Sequence, residues 1–207
     1  EIPESITITP AVEENHATEV LREKTANYLA GLGFNEMMTN SITNAAYYSE
    51  EELQQMVKMT NSLSSELNVL RNSLFETALE VVAHNLNHRN NSLRLFEFGK
   101  AYSTSGPGKY AESDKLCVVI TGNRQEDSWK QKSIPADFYQ LKGTVEAILK
   151  LLGLTPDAME AMAVPKLDNH VIYKMNNQVI AGAGEVKKEI LGKFGIKQPV
   201  YFAGLNW

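Results

Sequence analysis

The chain has 207 residues, 43% hydrophobic and 22% charged, and its 20 Lys and Arg against 25 Asp and Glu leave a formal charge of −5. That is material for one sizeable α/β core or two small ones, while the acidic balance argues against a self-sufficient nucleic-acid binder, which needs a positive field facing the phosphates. The longest strand-like apolar run, Leu116-Cys117-Val118-Val119-Ile120, falls well short of the ~20 residues of a membrane-spanning helix, and the single cysteine excludes an internal disulfide framework and fits a reducing, cytoplasmic compartment.

Glu1-Ile2-Pro3 is neither a signal nor a transit peptide and does not start with Met, so a piece of a longer protein is expected. Pro3 and Pro10 suggest that residues 1–14 are an extended lead-in. From Ala17 a helix is expected, with Ala17, Leu21, Tyr28 and Leu32 on one stripe, Val20 and Leu29 beside it, and Gly31 and Gly33 as stop signals. Phe34 to Thr43 reads as a strand. Ala45 to Val57 has helical composition around Glu50, Glu51 and Glu52. Ser73 with Glu76 predicts a capping box, ahead of a core-facing stripe of Phe75, Leu79, Val82 and Leu86. His84, His88 and Arg89 lead into the polar Asn90-Asn91-Ser92.

Strands follow at Leu93 to Tyr102 and Lys115 to Thr121, separated by the turn-rich Ser103 to Gly108. Asp137 and Gln140 occupy N-cap and N3 positions of a helix whose apolar face is Phe138, Leu141, Val145, Ile148, Leu149 and Leu152, closed by Gly153. Thr155-Pro156 predicts a short helix, since proline suits the first helical position. Val171 to Met175 and Gln178 to Ala181 flank Asn176-Asn177, a hairpin turn tolerant of positive φ. Glu185 to Gly192 reads as a short helix and Val200 to Leu205 as a last strand. Hairpins with a few intervening helices predict an α+β fold: a mainly antiparallel sheet with helices packed on one face.

The stretch Leu70-Arg71-Asn72-Ser73-Leu74-Phe75 through Asn85-Leu86-Asn87-His88-Arg89, followed by Leu93-Arg94-Leu95-Phe96-Glu97-Phe98-Gly99-Lys100, resembles the β subunit of bacterial-type phenylalanyl-tRNA synthetases. Asp137-Phe138-Tyr139-Gln140-Leu141-Lys142-Gly143-Thr144-Val145-Glu146 and Gly182-Ala183-Gly184-Glu185-Val186 match that family in the expected order, as do Phe194-Gly195-Ile196 and Val200-Tyr201-Phe202. Two departures stand at helix starts: Phe75-Glu76-Thr77 replaces the family's usual Leu-Pro-Gly, and Val186-Lys187 a frequent His-Pro. The resemblance implies a catalytic-like class II aminoacyl-tRNA synthetase core over residues 15–207, flanked sheet and all. It also implies an α2β2 assembly in which a separate α subunit charges tRNA with phenylalanine, using ATP and magnesium, in the cytoplasm.

Adenylation passes through a highly negative transition state and needs positioned cations. In class II enzymes these include an arginine two places before a strand glutamate and another after a late glycine-rich stretch. Here Leu95 stands two places before Glu97, and Val186 follows Gly182-Ala183-Gly184-Glu185. No catalytic, cofactor-binding or metal residue is therefore expected, and the module alone is expected to be inactive, supporting the α subunit. The alternative is a free-standing adenylate-forming or small-molecule-binding domain on the same fold, which the missing cations oppose.

The remaining residues are weighed the same way. Cys117 reads as a small buried hydrophobe, because a reactive thiol needs positive charge and partial exposure. His84 and His88 have zinc-like i, i+4 spacing but no third ligand nearby, so exposed helix histidines are the expectation. Gly182 and Gly184 lack the third glycine of a dinucleotide fingerprint and read as packing glycines of a sheet. Arg89, Arg94, Lys100 and Lys109 could form a basic rim touching tRNA phosphate, with ordinary solvated charge as the competing reading. The first helix and the strand after it correspond in the resemblance to a dimer-forming motif. Val20, Leu21, Tyr28 and Met37 are accordingly expected at the α-subunit contact or in the core directly beneath it.

Overall fold

The computed structural model describes residues 17–62 and 64–207; the lead-in over 1–14 and His16 lie outside the described residues. In chain order the elements are α1 (Ala17–Gly31), β1 (Asn35–Glu36), β2 (Ile42–Thr43), a 3-10 turn (Ala45–Tyr47), α2 (Glu50–Gln54), β3 (Val69–Leu70), α3 (Phe75–Asn87), β4 (Leu93–Gly106) and β5 (Lys109–Thr121). They continue with β6 (Asn123–Gln125), β7 (Ile134–Pro135), α4 (Phe138–Leu151), β8 (Ala158–Ala161), β9 (Leu167–Met175), β10 (Gln178–Val186), α5 (Lys188–Lys193) and β11 (Val200–Asn206). The main sheet has seven strands in the order β1-β4-β5-β11-β10-β9-β8, antiparallel except where β1 joins β4.

Its two long strands are apolar at both parities. Phe96, Leu116, Val118 and Ile120 point to one face, and Leu93, Leu95, Cys117 and Val119 to the other. A run without polar alternation is the mark of a strand covered on both sides. The first face packs on Leu29 of α1 and on Leu141, Val145, Ile148 and Leu149 of α4. The second packs on Phe75, Ala78, Leu79 and Val82 of α3 and on Leu191 of α5. Helices thus cover both faces, correcting the one-face expectation; the unbroken run at 116–120 was the signal for it. Ala181, Ala183 and Ala203 keep the first face flat enough for α4 to approach.

The α4 start is as read, with Asp137 Oδ1 accepting the Gln140 amide at 2.7 Å. So is the β9–β10 hairpin, whose turn residues Asn176 and Asn177 have φ 51 and 62. The final strand also stands where the pattern put it.

Other expectations are corrected. Phe34 to Thr43 is not one strand: after β1, Met37 still donates to the Phe96 carbonyl, but the Thr39 amide turns to the Glu97 carboxylate, leaving the ladder. Ala45 to Val57 splits into the 3-10 turn and α2, whose own capping box is Ser49 with Glu52. At α3 the helix begins at Phe75, so Ser73 donates to the Glu76 side chain at 2.9 Å and the reciprocal box does not form. Residues 155–161 hold no helix. The Asp157 amide donates to the Lys174 carbonyl and Ala158–Ala161 pairs along β9, so edge pairing overrides a helical composition. Glu185 belongs to β10, and α5 starts three residues later.

Candidate functional site

Glu97 projects from β4 onto the second face, directly across the ladder from Cys117. Its partner is Arg71, which leaves β3 and enters the same interior; the two side chains are 2% and 3% exposed and 3.0 Å apart. Arg71 Nη1 also donates to Thr39 Oγ1 at 2.5 Å, and Arg71 Nε donates to the Lys100 carbonyl at 2.9 Å. Thr39 returns its amide and hydroxyl to the Glu97 carboxylate. Gly99 makes the room: a Cβ there would collide with Arg71 Nη2 and Leu74 Cδ2. This guanidinium is therefore closed off from any ligand.

Leu95 and Val186, the two positions where the resemblance leads one to look for a cation, are buried in the core. Gly182 and Gly184 face β9 at close quarters, since a Cβ at 182 would lie 2.7 Å from His170 Nε2 and one at 184 would lie 3.0 Å from the Asp168 carbonyl. They serve sheet packing. Burial pushes the Cys117 thiol far above its ordinary value, and the Glu97 charge adds to that. It is the buried, unreactive thiol expected.

A second charged cluster lies on the same face. Lys166 Nζ, in the connection between β8 and β9, sits 2.5 Å from both Glu52 of α2 and Glu76 of α3. Its ammonium also stands over the rings of Tyr48 (5.2 Å) and Phe75 (5.8 Å). Both carboxylates are otherwise satisfied, Glu52 by the Ser49 amide and Glu76 by the Ser73 hydroxyl. Beside the cluster is a cavity of about 640 Å³ walled by Tyr47, Tyr48, Phe75, Pro165 and Ile190. Sequence reasoning passed over Arg71, Thr39, Glu52 and Lys166. Glu97 between Phe96 and Phe98 was the available signal, because a carboxylate inside an apolar strand demands a cation.

The candidate contact residues part company. Met37 is in the second-face core. On α1 the buried residues are Thr25 and Leu29, while Val20 and Leu21 are 60% and 40% exposed and Leu32 is exposed just past the helix end. Tyr28 is half-buried at a groove between α1 and α4. The predicted stripe Leu21–Tyr28–Leu32 exists, but this chain leaves it largely uncovered. The basic residues do not converge either. Arg89 ends α3 at φ 66, Arg94 donates to the Leu32 and Arg124 carbonyls, and Lys100 pairs with Glu112 at 2.7 Å. Arg94 and Lys100 are six residues apart on β4, about 20 Å at the usual strand rise. Lys109 starts β5 at the far hairpin end. His84 and His88 stack at 4.3 Å, with His88 Nδ1 against the His84 carbonyl. Among the described residues no group of three His, Cys, Asp or Glu is placed to hold a metal ion.

Residues 2–207 match the family model described as the phenylalanyl tRNA synthetase beta chain CLM domain. The chain belongs to the phenylalanyl-tRNA synthetase β chain family. It is 34% identical to the phenylalanine–tRNA ligase β subunit of Bacteroides thetaiotaomicron, over 100% of this chain and 27% of that protein. Identity is again 34% to the β subunit of Porphyromonas gingivalis, over 86% and 24%. The chain thus spans about a quarter of the length of these β subunits. A pyrrolysyl-tRNA synthetase of Desulfitobacterium hafniense superposes with a TM-score of 0.71 at 18% identity, covering 92% of this chain and 64% of that one. The β chain module therefore has the class II synthetase-like α+β fold that the resemblance implied.

Proposed function

We propose that this chain is a non-catalytic structural module, residues 15–207, of a phenylalanine–tRNA ligase β subunit, supporting the α subunit in ATP-dependent charging of tRNA with phenylalanine in the cytoplasm. One observation carries the non-catalytic half. The only guanidinium beside Glu97 among the described residues is Arg71, closed into an ion pair away from solvent, and Leu95 and Val186, where the resemblance would expect cations, are apolar and buried. These residues do not fit a nucleotide or its magnesium ion. In this reading both belong to the α subunit of an α2β2 assembly.

The supporting half rests on the uncovered apolar row of α1. Val20, Leu21 and Leu32, with Tyr28 between, form the kind of exposed stripe that an α subunit would bury. The test is co-purification with the α subunit after co-expression, comparing the native chain with Val20→Glu and Leu21→Glu. A charge forced into an apolar contact costs several kcal/mol, so assembly should weaken at least tenfold while the chain alone stays folded. The chain by itself should show no phenylalanine-dependent ATP–pyrophosphate exchange. Unchanged assembly in both variants overturns the contact, and exchange by the isolated chain overturns the non-catalytic reading.

A further inference from the structure

The cavity of about 640 Å³ beside Lys166, on the second face of the sheet, has a chemistry that a purely structural role leaves unused. Its walls come from the 3-10 turn with α2, the start of α3, the β8–β9 connection and α5. The aromatic lining is recessed. Tyr48 and Phe75 are only 7% and 5% exposed, and the half-buried Tyr47 packs its ring on Phe194 at 4.9 Å. Pro165 and Ile190 add apolar surface. Rings set inside a concavity of this volume suit a small molecule, whereas a flat partner surface would not reach them.

The charge around the cavity has a definite sign. Glu51 and Glu52 line it, Glu76 holds Lys166, and Glu80 accepts from the Tyr47 hydroxyl at 2.7 Å. Against these four carboxylates stand two ammonium groups, Lys166 and Lys193. Lys166 is bound by two of the carboxylates at 2.5 Å each, so its own charge is more than cancelled. Burial lowers the His170 imidazole, which also lines the cavity and is therefore neutral at pH 7. Burial pushes the Tyr47 hydroxyl up to about 12, and Glu80 and Glu66 push it the same way. These surroundings repel an anion. A metal ion would need a set of three donor side chains, and none is placed to hold one among the described residues.

Aromatic faces with a surplus of carboxylates attract an organic cation. The chain supplies its own precedent, since the Lys166 ammonium lies 5.2 Å from the Tyr48 ring centre and 5.8 Å from that of Phe75. Glu52 and Glu76 already accept from Lys166, and Glu80 from Tyr47, so they offer a ligand field more than hydrogen bonds. That suits a cation with no N–H to donate. We propose that this cavity is a binding site for a small quaternary ammonium ion, its charge toward Glu51 and its alkyl groups against Tyr47, Tyr48 and Phe75. A ligand held there joins the elements that Lys166 already bridges, and stabilises the chain by mass action.

Choline is the probe, and its control is the neutral isostere in which a tert-butyl group replaces the trimethylammonium. Binding is read from the backbone amide shifts of Ser49, Glu51, Asn72 and Ile190 in the native chain. Choline should move them saturably and raise Tm, and the isostere should bind about tenfold more weakly. Two exposed side chains give opposite signs: Glu51→Gln should weaken choline about threefold, and Lys193→Gln should strengthen it by about the same factor. Reversed signs, equal affinity for the isostere, or no saturable shift overturns the proposal. So does an α subunit that moves these amides where choline does not, which would make the cavity a protein contact.

Discussion

Arg71 and Glu97 are both almost fully buried, so removing one strands the other's charge away from water. Losing one partner of such a pair typically costs about 3–5 kcal/mol, whereas replacing both costs far less. Arg71→Met should therefore lower stability by about that amount, and adding Glu97→Gln should restore much of it, read as urea midpoints by circular dichroism. A double variant as unstable as the single one would show that packing around Gly99, not charge, is what Arg71 supplies. At this scale the sequence was half legible. Glu97, flanked by Phe96 and Phe98 in an apolar strand, signals from the sequence alone that a cation must reach it. That Arg71 would enter the same interior was not visible, because 26 residues and a helix separate it from Glu97.

Among the elements, local chemistry was legible wherever it acted alone and illegible where a distant strand intervened. The Asn176-Asn177 turn is a clear case of the first kind: Met175 pairs with Gln178, so both central residues must adopt positive φ, which asparagine tolerates. Asn177→Val, with a branched Cβ in that region, should cost about 1–2 kcal/mol. Asn177→Gly should be neutral or slightly stabilising, and equal urea midpoints for Val and Gly would contradict the turn assignment. The segment at 158–161 is the opposite case, an alanine-containing stretch that β9 recruits as an edge strand. The capping boxes divide in the same manner. Ser73 and Glu76 have the right spacing, but the helix starts one residue too late for both reciprocal bonds. The working box at Ser49 and Glu52 was hidden inside what read as one long acidic helix.

For the molecule as a whole, Lys166 is the contact that sequence order could least reveal, bridging to residues 114 and 90 positions away. It ties α2, and with it the small cluster of Tyr48, Met56 and Val69, to α3 and the main sheet. Burial alone would lower the Lys166 ammonium, but Glu76 and Glu52 outweigh it and hold its pKa above the ordinary 10.5. Burial alone would raise the Glu52 carboxyl, but hydrogen bonds from Lys166 and Ser49 hold it below the ordinary 4.5. A depressed carboxylate stabilises the fold above its unfolded value and loses that contribution as pH falls through the folded one. A raised ammonium contributes fully below its unfolded value and loses it only as pH climbs through the folded one. The bridge is thus complete throughout the neutral range and fails at both extremes. Glu52→Gln should cost about 1–2 kcal/mol at neutral pH, and that penalty should shrink once pH drops below 4.5. Lys166→Met should cost more, about 3–5 kcal/mol, because it leaves the buried Glu76 without its cation. Urea midpoints of the three proteins across pH separate the possibilities. A Glu52→Gln penalty that persists undiminished into acid would mean the side chain acts by shape, and the ion pair would then have no part in holding α2 to the sheet.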